Sequence, residues 1–258
     1  MFIDVNAYLS RWPFRRTPCD ELPRLMDKYR EFGVQQAWVG TFDGLFHRDL
    51  AAANARLADA CRQSRDVELL PFGSVNPRLP DWQEDLRRCA EEHRMPGIRL
   101  HPNYHGYSLE QPVFGELLDG AVQAGLIVQL VVRMDDVRVQ HPLMQIADVD
   151  TKPLAALLAA RPQLRLVLLN ALATLRGGDL RQLVAGQHVW CEIAMKEGLG
   201  GIAELLKDVP PTQVLFGSHL PLYALESAIL KLREAQLSAE LRAQLERGNA
   251  ELLLRSRQ

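Results

Sequence analysis

The sequence predicts an α/β protein, a single (β/α)8 barrel over residues 1–258 with extra helices at its C-terminal end. Short apolar runs alternate with amphipathic stretches along the whole chain, and eight such units follow one another without a linker. The length of 258 residues is one that a barrel reaches as a single unit. No Gly-x-Gly-x-x-Gly motif follows a predicted strand, which weighs against the alternative, an open doubly wound sheet that binds nucleotides.

The amino-acid composition indicates which kinds of molecule the protein binds and in which cellular compartment it is expected. A net charge of -2 gives no field that favours nucleic acid or a membrane surface as a partner. The 4 cysteines form no Cys-x-x-Cys pair, so we expect reduced thiols rather than disulfides or structural zinc. No stretch approaches the roughly 18 apolar residues of a membrane span. We expect a cytoplasmic protein that binds a small molecule, and a homo-oligomer stays open.

The strands and helices follow from hydrophobic periodicity. The fifth apolar run, at residues 126–132, is almost unbroken, as expected for a parallel strand that is covered on both faces. A long loop at 133–150 follows it. The predicted strands lie at 2–8, 37–42, 69–75, 97–101, 126–132, 164–169, 187–193 and 213–217, and the predicted helices at 20–32, 48–64, 81–93, 113–124 and 152–160, with two or three more closing the chain.

Polar side chains stand at the predicted C-terminal ends of seven strands, where the active site of a barrel lies. A purely structural barrel would need none of them, although the asparagines are also common turn residues. We predict His219, His101 and Glu192 as catalytic residues. The predicted substrate-binding residues are Asn6, Tyr8, Arg99, Arg133, Asn170, His105, Tyr107 and His141, and Asn76 and Gln129 complete the set at the strand ends.

Arg99 raises a question of charge. It shares a face of the fourth strand with His101, because side chains two residues apart point the same way. If that face is the barrel interior, the buried guanidinium needs an anionic partner, and we predict Glu192 or a substrate carboxylate.

Two loops have the composition of a binding site. The first spans residues 101–107 and is rich in His and Tyr, and the second spans 133–141 and ends in His141, whose His-Pro pair repeats that of His101. We expect Asp135 and Asp136 of the second loop to be solvated surface residues. Aromatic side chains able to wall a pocket are Trp12, Phe14, Tyr104 and Tyr107.

The order of these features resembles the amidohydrolase-related family of metal-dependent TIM-barrel hydrolases. The matching runs are Ile-Asp-Val-Asn-Ala-Tyr at 3–8, Gly-Ile-Arg-Leu-His-Pro at 97–102 and Val-Leu-Phe-Gly-Ser-His-Leu-Pro at 214–221. The sequence Gly-Asn-Ala at 248–250, followed by leucines, is similar to the last helix of that family. The resemblance covers essentially the whole chain and implies a barrel hydrolase.

The chain departs from the family at the positions of the metal ligands. The family opens with His-x-His, where this chain has Asn6 and Tyr8, and it ends the eighth strand with Asp, where this chain has His219. The family's His near the fifth or sixth strand corresponds to Val131 or Asn170. Amide and phenol groups are poor ligands for zinc. The resemblance therefore implies a substituted metal site.

Three functions remain open. In the first, a hydrolase of a small anionic carboxylate, ester or lactone works with no cofactor, as lactonases similar to this family do, with His219 as general base. Arg99 and Arg133 would then hold a carboxylate or an oxyanion. In the second, a divalent metal such as zinc binds at a relocated site of His101, Glu192 and His219. In the third, the barrel is a binding or scaffolding protein without catalysis.

Overall fold

A computed structural model describes residues 1–186 and 188–256 and shows the predicted barrel. Eight parallel strands are hydrogen-bonded in the order of the sequence. Val5 N donates to Phe216 O at 3.0 Å and Tyr8 N to Leu220 O at 2.9 Å, so the first strand also bonds to the chain at the eighth. The strands are β1 (Phe2–Leu9), β2 (Val34–Thr41), β3 (Glu68–Ser74), β4 (Gly97–Leu100), β5 (Ile127–Val131), β6 (Leu166–Leu169), β7 (Val189–Glu192) and β8 (Val214–Leu215).

Helices surround the strands, and those predicted from periodicity are confirmed to within a few residues. Helices at 43–46, 102–105, 177–184 and 201–208 were not predicted, and the predicted seventh strand begins at Gln187, which lies outside the described residues. The helices are α1 (Leu22–Phe32), α2 (Asp43–Phe46), α3 (Leu50–Gln63), α4 (Trp82–Arg87), α5 (Pro102–His105), α6 (Pro112–Gln123), α7 (Leu154–Ala159), α8 (Gly177–Val184), α9 (Gly201–Asp208), α10 (Leu225–Glu234), α11 (Ala239–Ala243) and α12 (Asn249–Arg255).

Helix α1 shows why these segments are helical. Its apolar residues Leu25, Met26 and Tyr29 recur at helical spacing and are buried on one face. The helix ends at Gly33, whose φ of 71° lies in the left-handed region that glycine adopts without strain. Among the described residues, the structure contains no helix that is both long enough and apolar enough to cross a bilayer.

The hydrophobic core has two layers on either side of the sheet. On β5, Val128 and Leu130 pack in the layer shared with the helices, whereas Ile127 and Val131 pack inside the barrel. This alternation confirms that both faces of the apolar run are covered. Strand ends that project polar side chains from such a rigid frame hold them in fixed positions.

Arg99 lies inside the barrel, and the prediction that it pairs with Glu192 is wrong, whereas its pairing with a substrate carboxylate stays a prediction. Its Nε donates to Gln129 Oε1 at 2.7 Å, Nη1 to Ala7 O at 2.6 Å and Nη2 to Trp38 O at 3.0 Å. The guanidinium also lies 4.5 Å from the ring centroid of Tyr8. Carbonyl dipoles and an aromatic face thus replace the expected anion, and burial lowers the pKa of Arg99.

Replacing Arg99 by Met should destabilise the barrel strongly, because the apolar side chain leaves the carbonyls of Ala7 and Trp38 buried without a donor. We expect the free energy of unfolding to fall by about 3 kcal/mol or more, since each buried orphan acceptor costs roughly 1–3 kcal/mol. Urea denaturation measures the change. The control is Arg87→Met, which removes an exposed arginine with surface ion pairs and should cost about 1 kcal/mol or less. Equal losses in the two variants would contradict the structural role of Arg99.

Candidate active site

Four side chains from four strands meet at the C-terminal end of the barrel. Asn6 lies on β1, Asn170 follows β6, Glu192 ends β7 and His219 follows β8, and all four are fully buried. Asn6 Nδ2 donates to Asn170 Oδ1 at 2.8 Å and to Glu192 Oε1 at 3.2 Å. Asn170 Nδ2 lies 3.3 Å from His219 Nδ1. We call these four residues the polar network.

The backbone is shaped to bring the network together. Asn170 and His219 have φ angles of 56° and 59°, in the left-handed region that few non-glycine residues adopt, Asn and His more often than most. Strained backbone of this kind persists where surrounding contacts enforce it, often at functional sites. Here His219 N donates to Asn6 O at 2.7 Å and Asn170 N to Glu192 Oε1 at 2.6 Å. A Cβ at Gly217 would lie 2.5 Å from Glu192 Oε2, so only glycine fits there.

The carboxylate of Glu192 acts as the acceptor of the network. In addition to the bonds from Asn6 and Asn170, its Oε2 accepts from Ala194 N at 2.5 Å. Burial raises the pKa of Glu192, while these N–H donors and the charge of Lys231 lower it. Because its oxygens face donors, Glu192 fixes the orientation of the Asn6 side-chain amide and holds the backbone N–H of Asn170.

The ring of His219 has a defined tautomer. Its Nε2 lies 2.6 Å from Met134 O, and a carbonyl only accepts, so Nε2 carries the hydrogen. Nδ1 then accepts from Asn170 Nδ2. Burial lowers the pKa of His219 to about 4, although the Met134 carbonyl and Asp135 favour the charged form. At neutral pH the ring is therefore an uncharged N–H donor.

Tyr8 and His101 form a second pair beside the network. The Tyr8 hydroxyl lies 3.0 Å from His101 Nε2 and donates to Met134 Sδ at 3.3 Å. Burial lowers the pKa of His101 well below 6.5 and raises that of Tyr8 to about 12, so both are neutral at pH 7. Nδ1 of His101 is buried and has no hydrogen-bond partner among the described residues.

Met134 fills the barrel mouth. It belongs to the 133–150 loop and contacts His219 through its carbonyl and Tyr8 through its sulfur. The remaining cavity, lined by His101, Tyr104 and Met134 among others, has a volume of about 10 Å³. That is room for one water molecule. The loop therefore covers the site in this conformation.

Two predicted binding residues lie next to the mouth and are already engaged. Arg133 binds Asp148 with both Nε, at 2.7 Å, and Nη2, at 2.5 Å. His105 Nε2 lies 2.8 Å from Gly44 O, which makes it the donor, and burial lowers its pKa. The structure does not bring either side chain into the polar network.

The other two predicted binding residues are still farther out. Tyr107 is buried with its ring centroid 5.8 Å from that of Phe114, in the layer between strands and helices. His141 is exposed, with its ring 5.8 Å from Phe14.

Sequence reasoning missed Arg15, and its expectation for Asp135 is wrong. Asp135 is 1% exposed rather than solvated, because Arg15 binds it through Nη1–Oδ2 at 2.6 Å and Nη2–Oδ1 at 3.3 Å. On the other side of Arg15 lies a cavity of about 360 Å³, which Pro221 and Tyr223 also line. The ring of Tyr223 lies 5.4 Å from that of His219. The sequence contains no pattern that pairs residues 120 positions apart.

Comparisons with known proteins agree with this architecture. The amidohydrolase family model matches residues 25–255. None of the curated proteins matches the chain. Among solved structures, 5-carboxyvanillate decarboxylase from Novosphingobium aromaticivorans, complexed with manganese and 4-hydroxy-3-methoxy-5-nitrobenzoic acid, has a TM-score of 0.78 at 14% identity, over 99% of this chain and 96% of that one.

Two further enzymes have the same fold. Dihydroxybenzoic acid decarboxylase from Polaromonas sp., with bound manganese and the inhibitor 2-nitroresorcinol, has a TM-score of 0.76 at 13% identity, over 100% of this chain and 97% of that one. 2,6-Dihydroxybenzoate decarboxylase from Rhizobium has a TM-score of 0.73 at 13% identity, over 98% and 99%. At such identities the likeness establishes the fold.

The expectation of a protein without a cofactor is contradicted by these structures, since two of them hold manganese. The fit of this chain to a metal ion rests on its own donors. Among the described residues, no three His, Cys, Asp or Glu side chains stand close enough to hold an ion, so the alternative set of His101, Glu192 and His219 is not assembled either. The side chains present therefore do not form a complete metal-binding site.

The buried neutral ring of His219 should make stability depend on pH. Its pKa is about 4 in the folded protein and 6.5 ordinarily, so the unfolded chain binds the extra proton as pH falls from 6.5 toward 4. From this group alone the free energy of unfolding should fall by about 2 kcal/mol between pH 7 and pH 5. Urea denaturation at pH 7 and pH 5 measures this change, and the free energy of unfolding of His219→Asn should differ less between the two pH values than that of wild type. In His47→Asn, which removes an exposed ring, the difference should stay unchanged; the same difference in all three proteins would contradict the assignment.

Proposed function

The chain belongs to the amidohydrolase family, and we propose that it is an enzyme acting on a small carboxylate-bearing molecule at the C-terminal end of the barrel. The observation that carries this proposal is the polar network itself. Burying two amides, a carboxylate and an imidazole is costly unless all are hydrogen-bonded, and apolar residues would fill the same space without that cost. Their convergence at the end where barrels place their active sites supports catalysis.

His219 is proposed as the donor that holds a substrate carbonyl oxygen. Its Nε2–H already binds a carbonyl, that of Met134, at 2.6 Å, and the Tyr8 hydroxyl reaches the same residue. Donors fixed in place stabilise negative charge that develops on such an oxygen. The general-base role predicted from sequence stays a prediction, and a pKa of about 4 makes the ring a weak base at neutral pH.

Asn170, Asn6 and Glu192 are proposed as positioning residues. Glu192 orients the Asn6 amide, which in turn donates to the Asn170 amide, and Asn170 fixes the tautomer of His219 by donating to Nδ1. The side chains that face the reacting carbonyl would then be His219 and Tyr8. Hydrolysis of a carboxylated ester or lactone is the reaction that this pair of donors supports best.

A second candidate reaction is decarboxylation of an aromatic carboxylate. Trp12 lies at the centre of an aromatic cluster, with ring centroids 5.4 Å from Phe14, 5.1 Å from Phe42 and 6.4 Å from Tyr104. Tyr104 also lines the barrel mouth. Such rings pack well against a planar aromatic substrate. The solved decarboxylases of the same fold, one complexed with a nitrobenzoic acid, favour this candidate.

A substrate screen tests both reactions. Carboxylated esters, lactones and hydroxylated benzoates are incubated with the protein, with and without added manganese, and release of acid or of CO2 is followed. We expect turnover that falls by about 100-fold or more in His219→Asn, the usual cost of losing one oxyanion donor. His47→Asn should retain wild-type rates.

Three outcomes would contradict the proposal or part of it. Rates unchanged in His219→Asn would remove His219 from the chemistry. Release of CO2 alone would replace hydrolysis by the second reaction. If no compound in the screen is turned over but one of them raises the melting temperature of the protein, the protein is a binding protein rather than an enzyme.

A further inference from the structure

The loop after β5 places two chemical groups on the site at once. The carbonyl of Met134 accepts from His219 Nε2 at 2.6 Å, and the carboxylate of the next residue, Asp135, binds Arg15 with two hydrogen bonds at 2.6 and 3.3 Å. Both loop residues are almost fully buried, at 3% and 1% exposure. If the loop made no contact with the barrel, the carboxylate of Asp135 would be exposed to water. Because it is buried, we infer that these hydrogen bonds hold the loop at the barrel mouth.

The donors that the loop occupies are those proposed to bind substrate. We propose that residues 134 and 135 stand in for the substrate, and that Arg15 is the residue that binds the substrate's carboxylate; this inference rests on the proposed function. The predicted anion-binding residues are engaged elsewhere, Arg99 by carbonyls and Arg133 by Asp148. Arg15 forms a fork-like pair with a carboxylate, the geometry in which guanidinium selects that group.

The covalent structure of the two residues defines the substrate class. Between the carbonyl carbon of Met134 and the carboxyl carbon of Asp135 lie three atoms, the amide nitrogen, Cα and Cβ of Asp135. A ligand that replaces both groups therefore has an acyl carbon and a carboxyl carbon separated by about three chain atoms. Five-carbon dicarboxylates and their half esters or half amides have this spacing, and shorter or longer diacids do not.

The loop is held by contacts that a ligand can replace. Its ion pair to the N-terminal segment joins Arg15, whose side chain is 34% exposed, to the buried Asp135, and a ligand carboxylate can replace that of Asp135 on the guanidinium. At its tip Leu143 is 92% exposed. Residues 132–153 contain no helix or strand, and long loops of this kind commonly act as lids. The cavity of about 360 Å³ beside Arg15 and Tyr223 gives a ligand access to the guanidinium.

Calorimetric titration with glutarate tests the inference without any need for turnover. Glutarate should bind, and succinate and adipate should bind at least about tenfold more weakly, because their carboxylates do not reach both donors. Arg15→Ala should weaken glutarate binding about tenfold or more. Asp135→Asn should strengthen it several-fold, because an amide competes less well for Arg15 and the open state becomes more populated. Arg11→Ala is the matched control, since Arg11 is an exposed arginine of the same segment that pairs with Glu21 and does not line this cavity, and the affinity of that variant should equal that of wild type.

Melting curves of each variant without ligand show whether it is folded. If Arg15→Ala does not fold, Arg15→Lys replaces it in the test. Lysine keeps the positive charge but loses the two-pronged guanidinium geometry, so this variant should bind glutarate with an affinity between those expected for wild type and Arg15→Ala. Three results would overturn the inference: no binding of glutarate, equal binding of the three diacids, or unchanged binding in Asp135→Asn. Glutarate that binds as expected to a protein with no turnover in the substrate screen would uphold this inference while refuting the enzyme proposal.

Discussion

The candidate active site depends on the two hydrogen bonds that the side-chain amide of Asn6 donates. Through Nδ2 it joins Glu192 on β7 to Asn170 after β6, and Asn170 in turn reaches His219 after β8. One amide thus spans the end of the barrel. Its strand is held by Asp4, whose carboxylate accepts from Asn6 N at 3.1 Å and from Ser218 N at 2.9 Å, so the same side chain joins β1 to the segment that carries His219.

Two buried charges inside the barrel, those of Arg99 and Glu192, have dipoles as their hydrogen-bond partners rather than opposite charges. The guanidinium of Arg99 faces carbonyls, and the carboxylate of Glu192 faces N–H groups. The side-chain N–H groups of the polar network each have an acceptor, whereas Asn6 Oδ1 is buried without a partner among the described residues. In a low dielectric, donors held in this way resist rearrangement, because moving one of them leaves its N–H unpaired. A stiff set of donors needs no reorganisation when charge develops on a bound oxygen, which is the condition for electrostatic catalysis.

The sequence reveals the fold and half of the site, for a physical reason. Strand and helix periods are local, and the rule that strand ends converge predicts from the sequence that Asn6, Asn170, Glu192 and His219 lie together. Contacts between residues that are far apart in the sequence leave no periodic pattern from which they could be predicted. Apart from Gln129, the hydrogen-bond partners of Arg99 are main-chain carbonyls, which every residue has. The contact of Asp135 with Arg15 joins loops that no period relates.

Loop position and catalytic geometry are coupled through Asn170. Its Nδ2 donates to Arg133 O at 2.7 Å, at the start of the loop, and the same group lies 3.3 Å from Nδ1 of His219. A loop that swings out with Arg133 would remove the acceptor of one N–H of this amide and leave the bond from its other N–H to the imidazole. Withdrawal of Met134 O at the same time exposes Nε2–H. Opening the mouth therefore frees the donor while its tautomer stays fixed, so a substrate meets a ring that is already oriented.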